Sequence, residues 1–427
     1  MIDIRLVRER PEEIEAALAR RGVPPGSVRG LRELDFEARA ATGRRDDLRA
    51  QVKDLSKKVA EARRRGDKDE ADGLASESRR IGELEREEDR RATSVSEALR
   101  ALLLELPNLP SPRAPEGSGP EDNVVVSTWP AEGRSYGEHQ RVAHWDVGAE
   151  LGILDMERGA KLSGSMFPCF RGSGARLLRA LTSYAIDQHS DSFEEVRPPT
   201  LVRTDTMTST GHLPKFADDA YHVERDDLWA IPTAEVPLAS MFRDQILDES
   251  DLPIRFTAYT SCFRREAGAA GRDTRGLLRV HEFDKVELFA YCTPEQSDAI
   301  LDDMLSRARR LLESFGLEHR VVDLCAGDLG ASASRTFDLE VYAPGCDMWL
   351  EASSVSWCSD YQARRANVRY RPAPGASPVL PHTLNGSALA WPRIWAALVE
   401  SGRQPDGSVV LPDVLGPYMG TTTVARS

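Results

Sequence analysis

Two long stretches carry apolar residues at alternating spacings of three and four, and this pattern restricts the fold more than any other feature. The first series spans residues 34–62, and the second spans residues 74–106. Such sustained spacing is typical of helices that pack side by side as a coiled coil. Because the connection Arg63–Asp67 is short and contains glycine, the sequence predicts an antiparallel two-helix arm. Folding about this turn brings Arg45 close to Glu88, which would explain two charges in an otherwise apolar seam.

The rest of the chain divides around a linker. Residues 1–110 are predicted to form an N-terminal helical domain that opens with a short strand at Ile2–Leu6 and carries the arm. Residues 111–122 are rich in proline and glycine, which is typical of a linker. Residues 123–427 mix amphipathic helical segments with alternating strand-like segments, so the fold class is α+β, with an antiparallel sheet flanked by helices.

The arm is nearly neutral, although the chain of 427 residues has a net charge of −13. Residues 34–106 hold 17 Lys and Arg and 18 Asp and Glu. Basic residues cluster toward the turn of the arm, and we consider them candidate nucleic-acid contacts: Lys57, Lys58, Arg63, Arg64, Arg65, Arg79 and Arg80. The alternative is an inert or protein-binding coiled coil whose charges keep it soluble.

The cysteines and the hydropathy indicate the compartment. Six cysteines stand singly without a C-x-x-C pair, so we expect neither a disulfide framework nor zinc. The longest apolar run is far shorter than a bilayer span, and the N-terminus lacks the apolar core of a signal peptide. A cytoplasmic protein with reduced thiols and no membrane association is therefore expected.

Residues 256–289 comprise two strand-like segments and a charged loop between them. Its glycines are Gly268, Gly271 and Gly276, and Arg272, Arg275 and Arg279 alternate with them. Glycine lets backbone approach a bound polyanion, and arginine binds phosphate with a planar fork of donors. The loop is thus a candidate phosphate site, while a solvated hairpin with ordinary surface charges is the alternative.

The wording of this loop resembles a known family. F-R-x-E, then G-R-D-T-R-G and H-x-F-D-K-V-E, is similar to motif 2 of the class II aminoacyl-tRNA synthetases in its seryl-tRNA synthetase form. Motif 1 would lie at about 175–199 and motif 3 at about 383–400. The segments L-S-K-K, P-N-L-P, T-A-E, E-A-S-S and P-Y-M-G also match the family's wording. The resemblance implies a tRNA-binding arm followed by a class II catalytic domain.

The resemblance also implies roles for individual residues. Arg264 and Arg393 would be the catalytic arginines. The serine-binding residues would be Thr233, Glu235, Arg264, Glu287, Asn385 and Ser387. The ATP-binding residues would be Arg264, Glu266, Arg279, Phe283, Glu351, Ser354 and Arg393. Glu351 and Ser354 would also hold Mg²⁺, which prefers one or two protein oxygens together with phosphate and water.

The activity implied is ATP- and Mg²⁺-dependent formation of seryl-adenylate and transfer of the seryl group to tRNA(Ser), by a homodimer joined through motif 1. Two alternatives are a paralogue that serves antibiotic biosynthesis or self-resistance and a non-catalytic binding or regulatory derivative. The first is suggested by departures from the family pattern at Met166, Val355, Trp357, Ala388 and Pro392. A helix starting just after Ser387 would place Pro392 beyond its first turn, so we expect the helix either to start at Pro392 or to kink there.

Overall fold

The computed structural model describes residues 1–267 and 275–426. Within them the helices are α1 Ile4–Glu9, α2 Pro11–Ala19, α3 Ser27–Arg65, α4 Lys68–Glu105, α5 His144–Glu150, α6 Met156–Ser163, α7 Ser173–Asp187, α8 Thr204–Thr210, α9 Glu235–Leu238, α10 Ser297–Ser314, α11 Tyr361–Ala366, α12 Trp391–Ser401 and α13 Gly416–Met419. The strands are β1 Val124–Trp129, β2 Glu194–Glu195, β3 Leu201–Arg203, β4 His222–Val223, β5 Leu228–Ala230, β6 Ile246–Asp248, β7 Ile254–Phe263, β8 Glu282–Cys292, β9 His319–Asp323, β10 Arg335–Ala343, β11 Met348–Trp357, β12 Arg369–Arg371, β13 His382–Ala390, β14 Val409–Val410 and β15 Thr423–Val424. The chain forms two compact units, Ile2–Leu106 and the part from Pro107 onward.

The N-terminal unit is entirely helical, and the predicted arm is α3 packed antiparallel against α4. With 39 residues, α3 is about 58 Å long. The turn is shorter than predicted, because α3 continues through Arg65. Gly66 ends it in a left-handed conformation with φ of +80°. Asp67 then caps α4 by accepting a hydrogen bond from the backbone N–H of Glu70 at 3.1 Å.

The predicted contact between Arg45 and Glu88 is wrong by one position on each helix. Glu88 pairs with Arg44 at 3.2 Å, and the closest acidic atom across the seam from Arg45 belongs to Asp89, at 3.6 Å. Each seam charge therefore pairs with a residue that flanks the seam of the facing helix. This arrangement leaves both charged groups partly in water, where an ion pair costs less desolvation than in the apolar seam.

The predicted strand at Ile2–Leu6 is also wrong, since α1 begins at Ile4. The carboxylate of Asp3 accepts a hydrogen bond from the backbone N–H of Arg5 at 2.8 Å, which caps the helix. The alternation of apolar residues that suggested a strand covers only one helical turn. Such a short run does not distinguish the two structures.

The second unit is built on a mixed but largely antiparallel sheet. In the described residues its strand order is β1-β9-β10-β11-β13-β8-β7-β2, and the β2–β7 pair is parallel while the others are antiparallel. One large apolar core joins residues of β8, β10, β11 and β13 to residues of α7, α10 and α12. The amphipathic helix predicted at Ala175–Asp187 is α7, which buries Leu177 and Leu181 in this core. These helices bury the apolar side chains of the sheet in one core.

The start of α12 resolves the question about Pro392. Strand β13 continues to Ala390, and α12 begins at Trp391, so Pro392 lies in the first turn, where its missing N–H breaks no helical hydrogen bond. The assumption that the helix starts just after Ser387 is therefore wrong, because the sheet extends three residues further.

None of the described helices is long and apolar enough to cross a membrane.

Candidate active site

A cavity of about 570 Å³ opens at the sheet, and most of the predicted ATP residues line it. Its wall includes eight of the predicted residues, namely Glu235, Arg264, Glu266, Arg279, Phe283, Glu351, Ser387 and Arg393. Residues 268–274, which contain the predicted phosphate-binding Gly268, Gly271 and Arg272, lie outside the described residues. Thr233, Glu287, Ser354 and Asn385 are not among the described residues of the wall.

Strands β7 and β8 place the motif 2 side chains at one end of the cavity. Arg264 follows β7 directly, and its guanidinium carbon lies 5.1 Å from the centre of the Phe283 ring on β8. The Nε of Arg264 donates to the carbonyl of Pro232 at 3.4 Å, which orients the guanidinium. A planar cation beside a planar ring suits a nucleotide, because the ring can stack on a base while the cation binds phosphate.

Two further predicted ATP residues pair with each other. Arg279 donates to the carboxylate of Glu266 at 2.6 Å, and both side chains are partly exposed in the cavity wall. Glu266 has a φ of +52°, a conformation that non-glycine residues adopt rarely and that is often found at functional sites. The pair fixes the two side chains relative to each other in the cavity wall, and their expected contacts with adenine and phosphate stay predictions.

Two buried carboxylates lie at the cavity: Glu235 is part of its wall, and Glu287 is not among the described residues of the wall. The Thr233 hydroxyl donates to Glu287 at 3.3 Å and accepts from the backbone N–H of Glu235 at 3.2 Å. Lys285 lies two residues before Glu287 on the same face of β8. Its ammonium nitrogen is 2.5 Å from the Glu287 carboxylate. Burial, and secondly the carboxylate of Glu287, raise the pKa of Glu235 to about 7. A cation bound next to Glu235 would favour its ionised form and lower this pKa.

A β-bulge brings the two predicted magnesium residues onto the same face of β11. Glu351 is paired with Glu340 and Ser354 with Asp338, while Ala352 is the extra residue between them. Without the bulge, residues three apart would point to opposite faces. The bulge therefore supplies a placement that strand periodicity alone excludes.

The neighbouring Asp338 tests whether this face fits a divalent cation. Its Oδ1 is buried and has no hydrogen-bond partner among the described residues. Burial, and secondly the Glu351 carboxylate, raise the pKa of Asp338 well above its usual range. Carboxylate and hydroxyl oxygens are the ligands that Mg²⁺ prefers, and an orphaned buried carboxylate oxygen is a favourable donor. The residues present fit the ion.

Two of the three predicted motif 3 residues line the cavity, and Asn385 is not among the described residues of its wall. Arg393 lines the cavity and donates to the carbonyl of Glu351 at 2.7 Å, with the Glu351 carboxylate 3.4 Å away. Ser387 also lines the cavity. The amide of Asn385 instead lies 3.5 Å from the Cys358 sulfur, and its side chain is buried. Pro392 contributes to the wall directly beside Arg393.

Three residues that the sequence did not assign contribute to the site. Lys285 could have been found from the period of two that places it between Phe283 and Glu287 on one face of β8. His212 lines the cavity, and burial, followed by the Arg264 charge, lowers its pKa to about 3. Gln362 donates to Glu235 at 2.5 Å and accepts from Thr383 at 2.7 Å, a contact between distant segments that no local pattern indicates.

The predicted tRNA-binding residues lie on the exposed surface of α3 and α4. Lys58, Arg65 and Arg80 each pair with an acidic neighbour on the arm, at 2.6–2.8 Å. The other four have no acidic partner within salt-bridge distance in residues 1–267 and 275–426: Lys57, Arg63, Arg64 and Arg79. These four cations would not have to break an ion pair in order to bind a polyanion.

Comparisons with known proteins cover both units. Residues 1–110 match the seryl-tRNA synthetase N-terminal domain, and residues 221–402 match the class II tRNA synthetase core domain (G, H, P, S and T). The serine–tRNA ligase of Gemmatimonas aurantiaca is 47% identical to the chain and that of Staphylococcus haemolyticus is 44% identical. Each alignment covers 100% of this chain and at least 99% of the relative.

Two solved structures are similar along their whole length. A seryl-tRNA synthetase from Pyrococcus horikoshii complexed with ATP has a TM-score of 0.91 at 33% identity, with 100% of both chains covered. A cytoplasmic serine–tRNA ligase from Naegleria fowleri in complex with AMP has a TM-score of 0.86 at 29% identity, covering 100% of this chain and 99% of that one. The chain therefore belongs to the seryl-tRNA synthetase family of class II aminoacyl-tRNA synthetases.

Proposed function

We propose that the protein is a serine–tRNA ligase that activates L-serine with ATP and transfers the seryl group to the 3′ end of tRNA(Ser). The observation that carries this proposal is the cavity in which Arg264 and Phe283 lie beside buried carboxylates, in a chain aligned end to end with serine–tRNA ligases. Serine-dependent ATP–pyrophosphate exchange by the purified protein tests it, and no exchange in the presence of Mg²⁺ would favour the non-catalytic alternative.

The positively charged side chains explain how the cavity can promote adenylation. Serine attacks the α-phosphate through its carboxylate, which is already ionised, so no general base is required. Negative charge grows on the phosphate as pyrophosphate leaves. Arg264 would stabilise this charge at the α-phosphate, and Arg393, which also lines the cavity, would bind the leaving phosphates. The adenine ring would stack on Phe283 and donate to Glu266.

Glu351 and Ser354 would hold Mg²⁺, with Asp338 beside them. When bound, the ion supplies positive charge that neutralises phosphate oxygens. The Glu351 carboxylate lies 3.4 Å from Arg393 and orients the arginine in the cavity wall. Arg393 would add its own positive charge at the same phosphates.

The buried carboxylates would recognise serine. Glu287, held by Thr233 and Lys285, would receive the ammonium group, and Glu235 would lie next to it. Ser387 would contact the small hydroxymethyl side chain from the cavity wall, and Asn385 is the second residue proposed for this contact. Two carboxylates near one ammonium favour an amino acid over a neutral ligand.

The pKa of Glu235 predicts a pH dependence. Since that pKa is about 7, the carboxyl group is protonated in most free molecules below pH 7 and ionised above it. If the ionised form binds serine, kcat/KM for serine should rise as pH increases from 5.5 to 8. Below pH 7 the slope should approach about tenfold per pH unit. Glu235→Gln should flatten the profile, while the KM for ATP serves as the internal control. A profile that Glu235→Gln leaves unchanged would contradict this assignment.

We further propose a cytoplasmic homodimer joined through the motif 1 segment, residues 175–199. This segment comprises α7 and the short strand β2 at the sheet edge. Sedimentation equilibrium should give twice the mass of the 47.2 kDa chain. The free state of all six cysteines supports a reducing compartment.

The departures from the family pattern keep a specialised paralogue as a second candidate function. Pro392 lines the cavity beside Arg393, so it can alter the fit of ATP or of a seryl-adenylate mimic. Replacing both Ala388 and Pro392 with glycine should change the KM for ATP, or the inhibition by a non-hydrolysable seryl-adenylate analogue, by more than about twofold. That threshold corresponds to about 0.4 kcal/mol. Smaller changes in both quantities would remove the structural reason for the paralogue.

A further inference from the structure

We infer that His144 and Glu400, which lie outside the cavity, form a buried anchor that positions the C-terminal leg of the ATP-binding loop. This leg is Arg275–Leu278, and its Leu277 and Leu278 line the cavity. The inference rests on the proposed function, because the leg matters only if the loop binds ATP. It assigns the two residues a positioning role.

The connection starts at the imidazole of His144, which is fully buried. The backbone N–H of Leu277 donates to its Nε2 at 2.9 Å. A ring nitrogen of histidine that accepts a hydrogen bond carries no proton, so the ring proton must be on Nδ1. Nδ1 then donates to the carboxylate of Glu400 at 2.8 Å. One side chain thus joins the loop to the end of α12, whose first turn carries Arg393.

Glu400 is held as firmly as the ring that it orients. Its Oε1 also accepts from the backbone N–H of His144 at 2.9 Å, and its Oε2 accepts from the N–H of Gly345 at 2.8 Å and of Cys346 at 3.2 Å. A buried carboxylate with this many donors has one stable orientation. It therefore fixes the tautomer of His144 that can accept from Leu277.

The neighbouring contacts restrict the same leg. Gly276 has a φ of +59°, and a Cβ there would collide with the rings of His144 and Trp145. The guanidinium of Arg275 stacks over Trp145, 5.0 Å from the ring centre. Three consecutive residues of the leg are thus held by the first two residues of α5. This extent of contact exceeds what a chance packing of a surface loop needs.

A metal site is the competing interpretation of the cluster. The Cys346 sulfur lies 3.1 Å from Glu400 Oε1 and 3.7 Å from His144 Nδ1, so the three side chains could supply ligands. Hydrogen bonds already use both oxygens of the carboxylate and both ring nitrogens. We therefore favour the anchor, and the experiment below separates the two interpretations.

Two replacements of His144 distinguish positioning from mere packing. Glutamine can place an oxygen near the position of Nε2 and still accept from Leu277, whereas asparagine reaches only the position of Nδ1. We expect His144→Asn to raise the KM for ATP about tenfold in pyrophosphate exchange and to leave the KM for serine within twofold. His144→Gln should recover most of the ATP affinity. Cys346→Ala, which leaves the His144–Glu400–Leu277 chain intact, is the control and should stay within twofold of wild type.

Hydrogen–deuterium exchange provides a readout that does not depend on catalysis. A peptide containing Leu277 should exchange at least tenfold faster in His144→Asn than in wild type, with little change in His144→Gln. Because amide exchange is measured without serine, it tests the anchor even if the wild-type protein shows no ATP–pyrophosphate exchange. An equal rise of the KM for ATP in both His144 variants would overturn the inference. Unchanged amide exchange in His144→Asn would also overturn it.

Two further measurements cover the remaining outcomes. If His144→Asn does not fold, Gly276→Ala tests the same contact from the leg itself, because the added methyl group would collide with His144, and an unchanged KM for ATP would overturn the anchor. Stoichiometric metal in elemental analysis of wild-type protein, lost in Cys346→Ala, would replace the anchor with the metal site.

Discussion

Replacing Arg264 with alanine is expected to slow serine-dependent ATP–pyrophosphate exchange by about a hundredfold to a thousandfold, because it removes a preorganised charge from the reacting phosphate. The guanidinium is already oriented by the Pro232 carbonyl and by the Phe283 ring, so it needs little reorganisation when ATP binds. The loss should appear mainly in kcat, since the charge that Arg264 stabilises is largest in the transition state. Steady-state exchange at saturating serine and ATP measures it.

The next residue provides a matched control. Arg265 has the same charge and is exposed, and it is not among the described residues of the cavity wall. Arg265→Ala should therefore keep kcat within about twofold of wild type. If both variants lose activity equally, the effect comes from the net charge near the cavity, and the role proposed for Arg264 is wrong.

Strand periodicity predicts which side chains of the candidate site share one face of a strand. Phe283 and Glu287 share a face of β8 because side chains alternate along a strand, and the same rule would have found Lys285 between them. The heptad pattern likewise predicts the pairing of α3 with α4, because a seam of apolar residues must be buried. In these cases a local rule determines the three-dimensional neighbour.

Local rules fail where a small backbone irregularity changes the face. Glu351 and Ser354 share a face only because Ala352 forms a bulge, and nothing in four residues of strand announces it. The strand predicted at Ile2–Leu6 fails for a related reason, since the cap supplied by Asp3 outweighs a brief alternation. Both outcomes depend on one or two hydrogen bonds.

Contacts between distant segments are the other part that the sequence could not provide. His144 and Glu400 are 256 residues apart, and each appears in the sequence as an isolated polar residue in an amphipathic segment. Gln362 and Glu235 are separated by 127 residues. Pairing of this kind depends on the packing of α12 and α11 against the sheet, which no motif encodes.

The second large effect is expected on the arm: shortening it should abolish tRNA charging and leave serine activation nearly intact. The side chains of Arg49 and Glu85 form an ion pair between the two helices, with Nη2 and Oε1 2.8 Å apart. The two residues therefore face each other, and a short glycine-containing turn can join them in place of residues 50–84. Charging of tRNA(Ser) should fall by about a thousandfold or more, because the cations at the end of the arm are lost. Pyrophosphate exchange should stay within about threefold. An arm-shortened protein that charges tRNA normally would show that the arm has another partner.

Point substitutions in the full-length chain give a sharper version of this test. We expect Arg63, Arg64 and Arg79 changed together to glutamine to weaken tRNA binding by roughly a hundredfold. The same change should reduce the magnitude of the slope of log K against log salt by about two to three. The reason is that each phosphate contact that no longer forms leaves its counterions bound to the tRNA.

The matched control changes Lys58, Arg65 and Arg80 to glutamine, which removes the same number of charges from the same part of the arm. Each of these three already pairs with an acidic neighbour and must give up that contact to bind phosphate. Their loss should therefore weaken tRNA binding by no more than about threefold. Exposed ion pairs contribute about 0–1 kcal/mol, so a difference between the two sets cannot come from the stability of the arm. Equal effects of both sets would mean that tRNA responds only to the total charge of the arm and that the four unpaired cations have no special role.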